Sequence, residues 1–317
     1  MRKLLAIAVA LALLGFGPPL GARLFGWGPD RSTLPPPAQA VSIGDGLALN
    51  VVDLAGNGTP IVLVHGLPSN VGDWAALPQK LAALGHRVVV YDRIGYGWSS
   101  RSPIAGDAYT YASSARELGA LLDALGVGQA ILVGWSYGGA VAQSLAAAAP
   151  ARVARLVLLG SVGPALPPAS RSDDPVARLT VSPVGGAILD WVAAVPPLAR
   201  AMTRSALAQA FSSEASIPAG FVEREMAQLA MPGTLDAYIA EERRAEPETL
   251  RPEAIAAPTL ILHGTDDRAV PPRVAEDLHQ RIPGSELALV PGGSHMLPIT
   301  HADLLAGSIH GWAEGSR

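Results

Sequence analysis

The sequence predicts an α/β fold, a mostly parallel sheet wrapped by helices and interrupted by one helical insertion. Three observations carry that expectation. Short apolar runs recur at residues 60–66, 87–92, 130–133, 155–160 and 259–264, continuous rather than alternating, as in strands covered on both faces. Stretches of helical length and composition separate them, the rhythm of parallel strands joined by crossovers. From Ser161 to about Pro258 that rhythm stops, and only helical stretches are found. A strandless segment of this size inside an alternating fold reads as a cap laid over one end of the sheet.

Taken in order, residues 39–43 and 47–54 flank Gly44-Asp45-Gly46 and predict a hairpin, ended by Gly56-Asn57-Gly58. The first buried strand follows at 60–66. Asp73 is placed to cap a helix over 74–84 that stops at Gly85. A second buried strand, 87–92, runs into the glycine-punctuated loop 93–99, and a helix over about 109–125 leads to the strand that starts at Ala130. Residues 140–149 are nearly all helix formers. The insertion carries helical stretches at 184–195, 197–211, 219–231 and 234–245. After the strand at 259–264 come a helix at 273–281, a strand at 286–290 and a last helix at 302–312. The domain plan is a core of 38–162 and 258–317 with a helical cap of 163–257.

Ahead of that core, Arg2 and Lys3 precede an unbroken apolar run, Leu4 to Leu14. Residues 1–25 therefore read as a signal peptide or an uncleaved N-terminal membrane anchor, with the catalytic part outside the cytoplasm, and residues 26–37 as a linker. With no cysteine, disulfides and thiolate chemistry are excluded. A net charge of -4 without a basic cluster argues against a nucleic-acid partner.

The chemistry centres on Gly134-Trp135-Ser136-Tyr137-Gly138. A strand, a sharp Gly-x-Ser-x-Gly turn and a helix would present the Ser136 hydroxyl at the sheet edge, with Gly134 and Gly138 small because strand and helix close on each other there. On its own such a serine could be an ordinary turn residue. A catalytic serine needs a base, an orienting acid and oxyanion donors. His295, in the glycine-rich loop after the last strand, is the candidate base, and Asp266 or Asp267, in the loop after the preceding strand, the acid. The oxyanion donors expected are the N–H groups of Tyr137 and, from the turn after His65-Gly66, of Leu67. His65 is expected to order that turn and Gly66 to be small for the close approach. Asp92 reads as a turn-forming carboxylate, His263 as a core residue, and His86, His279, His301 and His310 as surface or helix positions. No histidines and carboxylates cluster at ligand spacing along the chain, so neither a catalytic metal nor a cofactor is expected.

These motifs together resemble the α/β-hydrolase family, in its serine-nucleophile branch with a helical cap. The likeness runs from about Ala40 to the C-terminus. His65-Gly66 is similar to the family's oxyanion loop, residues 92–99 to its Asp-x-x-Gly-x-Gly-x-Ser loop, 134–138 to its nucleophile elbow and 264–271 to its acid loop. The resemblance implies a doubly wound sheet of the eight-stranded type, and it selects Asp267 over Asp266 as the acid. Ser294 departs from the glycine usual before the family histidine. Relatives with aspartate at the nucleophile use an alkyl-enzyme ester, a route closed to Ser136. In other relatives the acid follows the next strand, where this chain has Gly160-Ser161-Val162-Gly163. The resulting expectation is a hydrolase of a small-molecule carboxylic ester with a hydrophobic acyl or alkyl group, met by the apolar cap residues Ile188, Leu189, Trp191, Val192, Leu198, Met202, Leu207 and Phe211. C–C bond hydrolysis or acyl transfer would use the same residues, and a non-catalytic binding protein could keep the same fold.

Overall fold

The computed structural model describes residues 31–171 and 175–315. The proposed signal or anchor at 1–25 lies outside them. Among the described residues no helix is long and apolar enough to cross a membrane.

Eight strands form one sheet in the order β1-β2-β4-β3-β5-β6-β7-β8. The hairpin β1 (Gln39–Gly44) and β2 (Leu47–Leu54) is antiparallel and joins antiparallel to β4 (His86–Tyr91). From β4 onward every pairing is parallel: β3 (Asn57–Val64), β5 (Ala130–Trp135), β6 (Val153–Leu159), β7 (Thr259–Gly264) and β8 (Glu286–Val290). The continuous apolar runs are explained by the two faces they serve. Val62 and Val64 face one core with Leu118, Leu132 and Leu158, while Ile61 and Leu63 face a second with Trp74, Leu81, Val133 and Ile309. Each such side chain, fully buried, contributes on the order of 1.5–3 kcal/mol.

Helices α1 (Leu77–Ala83), α2 (Tyr111–Ala124) and α3 (Tyr137–Ala148) cover the first half of the sheet. Between β6 and β7 lie α4 (Pro175–Thr180), α5 (Pro183–Ala193), α6 (Pro196–Ala210), α7 (Phe221–Leu229) and α8 (Thr234–Arg244), with no strand among the described residues. Then come α9 (Arg273–Arg281) and α10 (Ala302–Ala313). Proline at the start of α6 costs nothing, since the first N–H groups of a helix have no internal partner.

Three local expectations are corrected. The helix expected over 74–84 is split, because Asn70 rather than Asp73 caps a 3-10 turn at Val71–Trp74 and α1 begins afresh with proline in its first turn. Asp73 is the reciprocal member of that cap, accepting from Asn70 N at 3.3 Å, and it is also bound by the Ser69 hydroxyl at 2.7 Å and by Arg224 of α7. Asn57, expected in a turn, opens β3, its N–H bonded to Gly85 O at 2.8 Å. His86, expected at a surface or helix position, is buried at the start of β4. In the expected linker, Leu34 is buried against Ala227 and Met231.

The topology places the site. The chain leaves β3 toward β4 on one side, then crosses to β5 on the other, so the strand order reverses between β3 and β5. A crevice opens outside the carboxyl ends of two such strands. Residues 65–67 follow β3 there, and Ser136 follows β5.

Candidate active site

Ser136 sits between β5 and α3 at φ 56°, ψ -122°. A side-chain-bearing residue at positive φ carries strain of about 1–3 kcal/mol. The elbow is held by Ser136 N–H donating to Leu159 O at 3.0 Å and by Ser136 O accepting from Gly139 N at 2.9 Å and Val162 N at 3.1 Å. Its two glycines have separate reasons. A Cβ on Gly134 would stand 2.6 Å from Gly138 O, and one on Gly138 would stand 2.1 Å from Val64 O in β3. Tyr137 is the first residue of α3, so its N–H has no acceptor inside the helix.

His295 Nε2 lies 3.0 Å from Ser136 Oγ, and its Nδ1 lies 2.7 Å from Asp267 Oδ2. The carboxylate accepts, so Nδ1 carries the hydrogen and Nε2 is left with a lone pair facing the serine hydroxyl. Asp267 Oδ1 accepts from Ala269 N at 2.9 Å and Val270 N at 2.8 Å, which fixes the carboxylate plane. Asp266 is exposed and its carboxylate meets only the Thr265 hydroxyl, at 3.1 Å. Gly160 leaves the room in which acid and imidazole meet: a Cβ there would stand 3.2 Å from Asp267 Oδ2 and 3.3 Å from His295 Nδ1. The imidazole loop is tied to both layers, with Trp135 Nε1 donating to His295 O at 2.9 Å and His295 N–H to the cap carbonyl Ala210 O at 3.1 Å. Ser294 absorbs the departure from glycine by accepting from Met296 N at 3.3 Å. His263 is buried in the core, donating to Val270 O at 2.8 Å, and burial lowers its pKa. It therefore stays neutral although Asp267 Oδ2 is 3.4 Å away.

On the other side of Ser136, a Cβ on Gly66 would come within 2.9 Å of the serine Cβ. The carbonyl of Gly66 and the N–H of Leu67 belong to one peptide unit. That carbonyl accepts from Arg93 Nη2 at 3.1 Å and lies 2.9 Å from His65 Nδ1. Arg93 N–H donates to His65 Nε2 at 2.9 Å, so the hydrogen of His65 is on Nδ1 and points at Gly66 O. Burial, reinforced by the Arg93 charge, holds His65 well below its ordinary pKa and keeps it neutral. Asp92 is structural, accepting from Val71 N at 2.8 Å, Trp98 N at 2.9 Å and Asn50 Nδ2 at 2.8 Å.

Sequence reasoning missed the partner that anchors this peptide. Arg93 is buried and makes a bidentate pair with Glu241 of α8, at 2.6 and 3.0 Å, while Tyr96 Oη donates to Glu241 Oε2 at 2.6 Å. Its guanidinium carbon also stands 4.6 Å from the Tyr137 ring centre. The pair joins cap to core directly behind the Leu67 N–H, and leaving one member of such a buried pair alone costs about 3–5 kcal/mol. An arginine in the glycine-punctuated loop after β4 was the available signal; its partner is 148 positions away.

A cavity of about 610 Å³ opens over Ser136, with Leu67, Trp135, Tyr137 and His295 at its base and Ala206 and Leu207 of α6 above. A second, apolar cavity of about 270 Å³ lies under the cap, lined by Leu189, Val192, Met202, Met226 and Leu235. Pro68, Thr203, Ala206 and Leu229 border both. Of the apolar cap residues singled out in the sequence, Ile188 and Leu198 face solvent and Phe211 packs on Phe221. Two carboxyls reach the larger cavity from the cap. Burial pushes Glu242 above its ordinary pKa, and burial with Asp73 alongside pushes Glu225 well above it. Arg273 is the one Lys or Arg among the lining residues, exposed and bonded to Ala165 O at 3.2 Å.

Known proteins share this architecture. The 2-hydroxy-6-oxo-2,4-heptadienoate hydrolase of Pseudomonas putida is 31% identical over 261 residues, covering 81% of this chain and 89% of its own. The non-heme chloroperoxidase of Streptomyces lividans is 30% identical over 261 residues, covering 78% and 89%. A thermophilic esterase from Thermogutta terrifontis superposes with a TM-score of 0.66 at 28% identity, covering 88% of this chain and 99% of its own. The family model for the alpha/beta hydrolase fold matches residues 59–302, from β3 through the loop that carries His295. A match of that extent, on a chain whose strand order and elbow are those just described, shows that the chain belongs to the α/β hydrolase family.

Proposed function

We propose that the protein hydrolyses carboxylic esters with a hydrophobic acyl chain through an acyl-enzyme. The observation that carries this reading is the unbroken chain Ser136 Oγ, His295, Asp267, at 3.0 and 2.7 Å, at the base of a cavity that adjoins an apolar chamber. In the first step Ser136 Oγ attacks the ester carbonyl while His295 Nε2 takes its proton, with Asp267 holding the tautomer and stabilising the imidazolium. The N–H groups of Leu67 and Tyr137 bind the oxyanion, and His295 returns the proton to the departing alkoxide. Water, activated by the same imidazole, then releases the acid.

Relatives of this chain bear the names of an esterase, a dienoate hydrolase and a chloroperoxidase, so the bond cleaved has to be argued from the cavity. Glu225 and Glu242 are driven toward their uncharged forms by burial there. The same desolvation penalises the carboxylate of a dienoate, whereas a neutral ester escapes it. This favours ester hydrolysis over C–C cleavage of an anionic substrate.

A panel of p-nitrophenyl esters of graded acyl length tests the reading. Each methylene taken into the apolar chamber contributes about 0.8 kcal/mol, so kcat/KM is expected to rise about fourfold per methylene from acetate until the chamber is full. Ala206→Trp, placed where the two cavities meet, should remove that rise while the acetate rate stays within about threefold. A flat profile, or a ring-fission dienoate cleaved faster than every ester, would contradict the proposal.

A further inference from the structure

At the opposite edge of the sheet a second group of polar side chains converges that plays no part in the chemistry above. His86 opens β4 with its ring buried, and His310 lies in the last turns of α10. His86 Nε2 is 2.9 Å from His310 Nδ1, the ring centres 5.1 Å apart at an interplanar angle of 65°. Glu314 follows His310 by one helical turn. The nitrogen donors of the two histidines and a carboxylate oxygen of Glu314 all lie within 4.8 Å of one another, the only such trio among the described residues.

Two imidazole nitrogens facing each other this closely share a single hydrogen, one ring donating and the other accepting. That arrangement is also what two ligands of one metal ion look like with a proton in its place. Ligand nitrogens at about 2.0–2.1 Å from a tetrahedral Zn²⁺ stand roughly 3.3 Å apart. The observed pair need separate by only a few tenths of an ångström, and Glu314, exposed just past the end of α10, has freedom to swing in. Two imidazoles with one carboxylate suit a borderline transition ion, not the all-oxygen shells of Mg²⁺ or Ca²⁺.

We propose that His86 Nε2, His310 Nδ1 and the Glu314 carboxylate form a binding site for a divalent transition-metal ion of the Zn²⁺ class, with water completing the shell. The ion takes the place of the shared hydrogen, which the donating ring then carries on its other nitrogen, so two neutral imidazoles bind it without losing a proton. β4 runs parallel to β3, which in turn runs parallel to β5, so this site and Ser136 lie at opposite ends of the strands. Six residues of strand separate the two edges by about 20 Å. The ion thus has no contact with the reacting atoms; it staples the C-terminal helix to the sheet.

The test uses the tag-free full chain, titrated with ZnCl₂ by calorimetry and with CoCl₂ by visible absorption. One Zn²⁺ per chain and the d–d bands of nitrogen-ligated Co²⁺ are expected. At a hundredfold excess over the dissociation constant, Zn²⁺ should raise the thermal midpoint by roughly 3–6 °C. His310→Ala and the exposed Glu314→Gln should each weaken Zn²⁺ binding at least about tenfold and abolish the Co²⁺ spectrum or shift it. No binding heat and no midpoint shift in the wild-type protein, or undiminished affinity in folded His310→Ala, would overturn the assignment.

Discussion

Ser136→Ala is expected to lower kcat on p-nitrophenyl esters by at least about a thousandfold, with KM changed by less than about threefold. The change removes only Oγ, the atom 3.0 Å from His295 Nε2, and leaves the backbone bonds that hold the elbow. Alanine meets the same positive φ as serine, so the unfolding midpoint should move little. What remains is water attack helped by the oxyanion donors and by binding alone. Steady-state kinetics beside a thermal melt check this, and a residual rate above a tenth of wild type would remove Ser136 from the mechanism.

Asp267→Asn should lose about 10³–10⁴-fold in kcat, while Asp266→Asn stays within about twofold. The local geometry makes the first loss severe. Because Oδ1 accepts two backbone N–H groups, an asparagine here keeps its oxygen on that side and turns its NH₂ toward His295. Nδ1 must then accept, the hydrogen moves to Nε2, and the ring can no longer take the serine proton. Asp266, exposed and with its carboxylate bonded only to the Thr265 hydroxyl, has no such lever. The two variants assayed together decide between the acids, and the reverse pattern would transfer the role to Asp266.

How much of this was legible in the sequence follows from which interactions are local. Strands buried on both faces announce themselves as continuous apolar runs, and the helix at Arg273–Arg281 and strand at Glu286–Val290 match the reading residue for residue. The elbow was legible because one sharp turn imposes its glycines within five residues. Capping at Asn70 was misread, since Asp73, three positions on, has the same chemistry and is bound by Ser69 and by Arg224 on the cap. The short helix α4 has too few residues for a periodic pattern. Arg93 and Glu241 carry no mutual signal, because only the folded cap brings α8 over the loop after β4. His310 and Glu314, one helical turn apart, are a pair and not a cluster along the chain; the third donor, His86, arrives only through the tertiary fold.

The most direct test of the nucleophile is covalent trapping with a fluorophosphonate, read by peptide mass spectrometry. The account predicts one adduct per chain, on the peptide containing Ser136, formed at least about a hundredfold more slowly in folded His295→Ala. Folded wild-type protein that takes no label, or takes it on another residue, would contradict it.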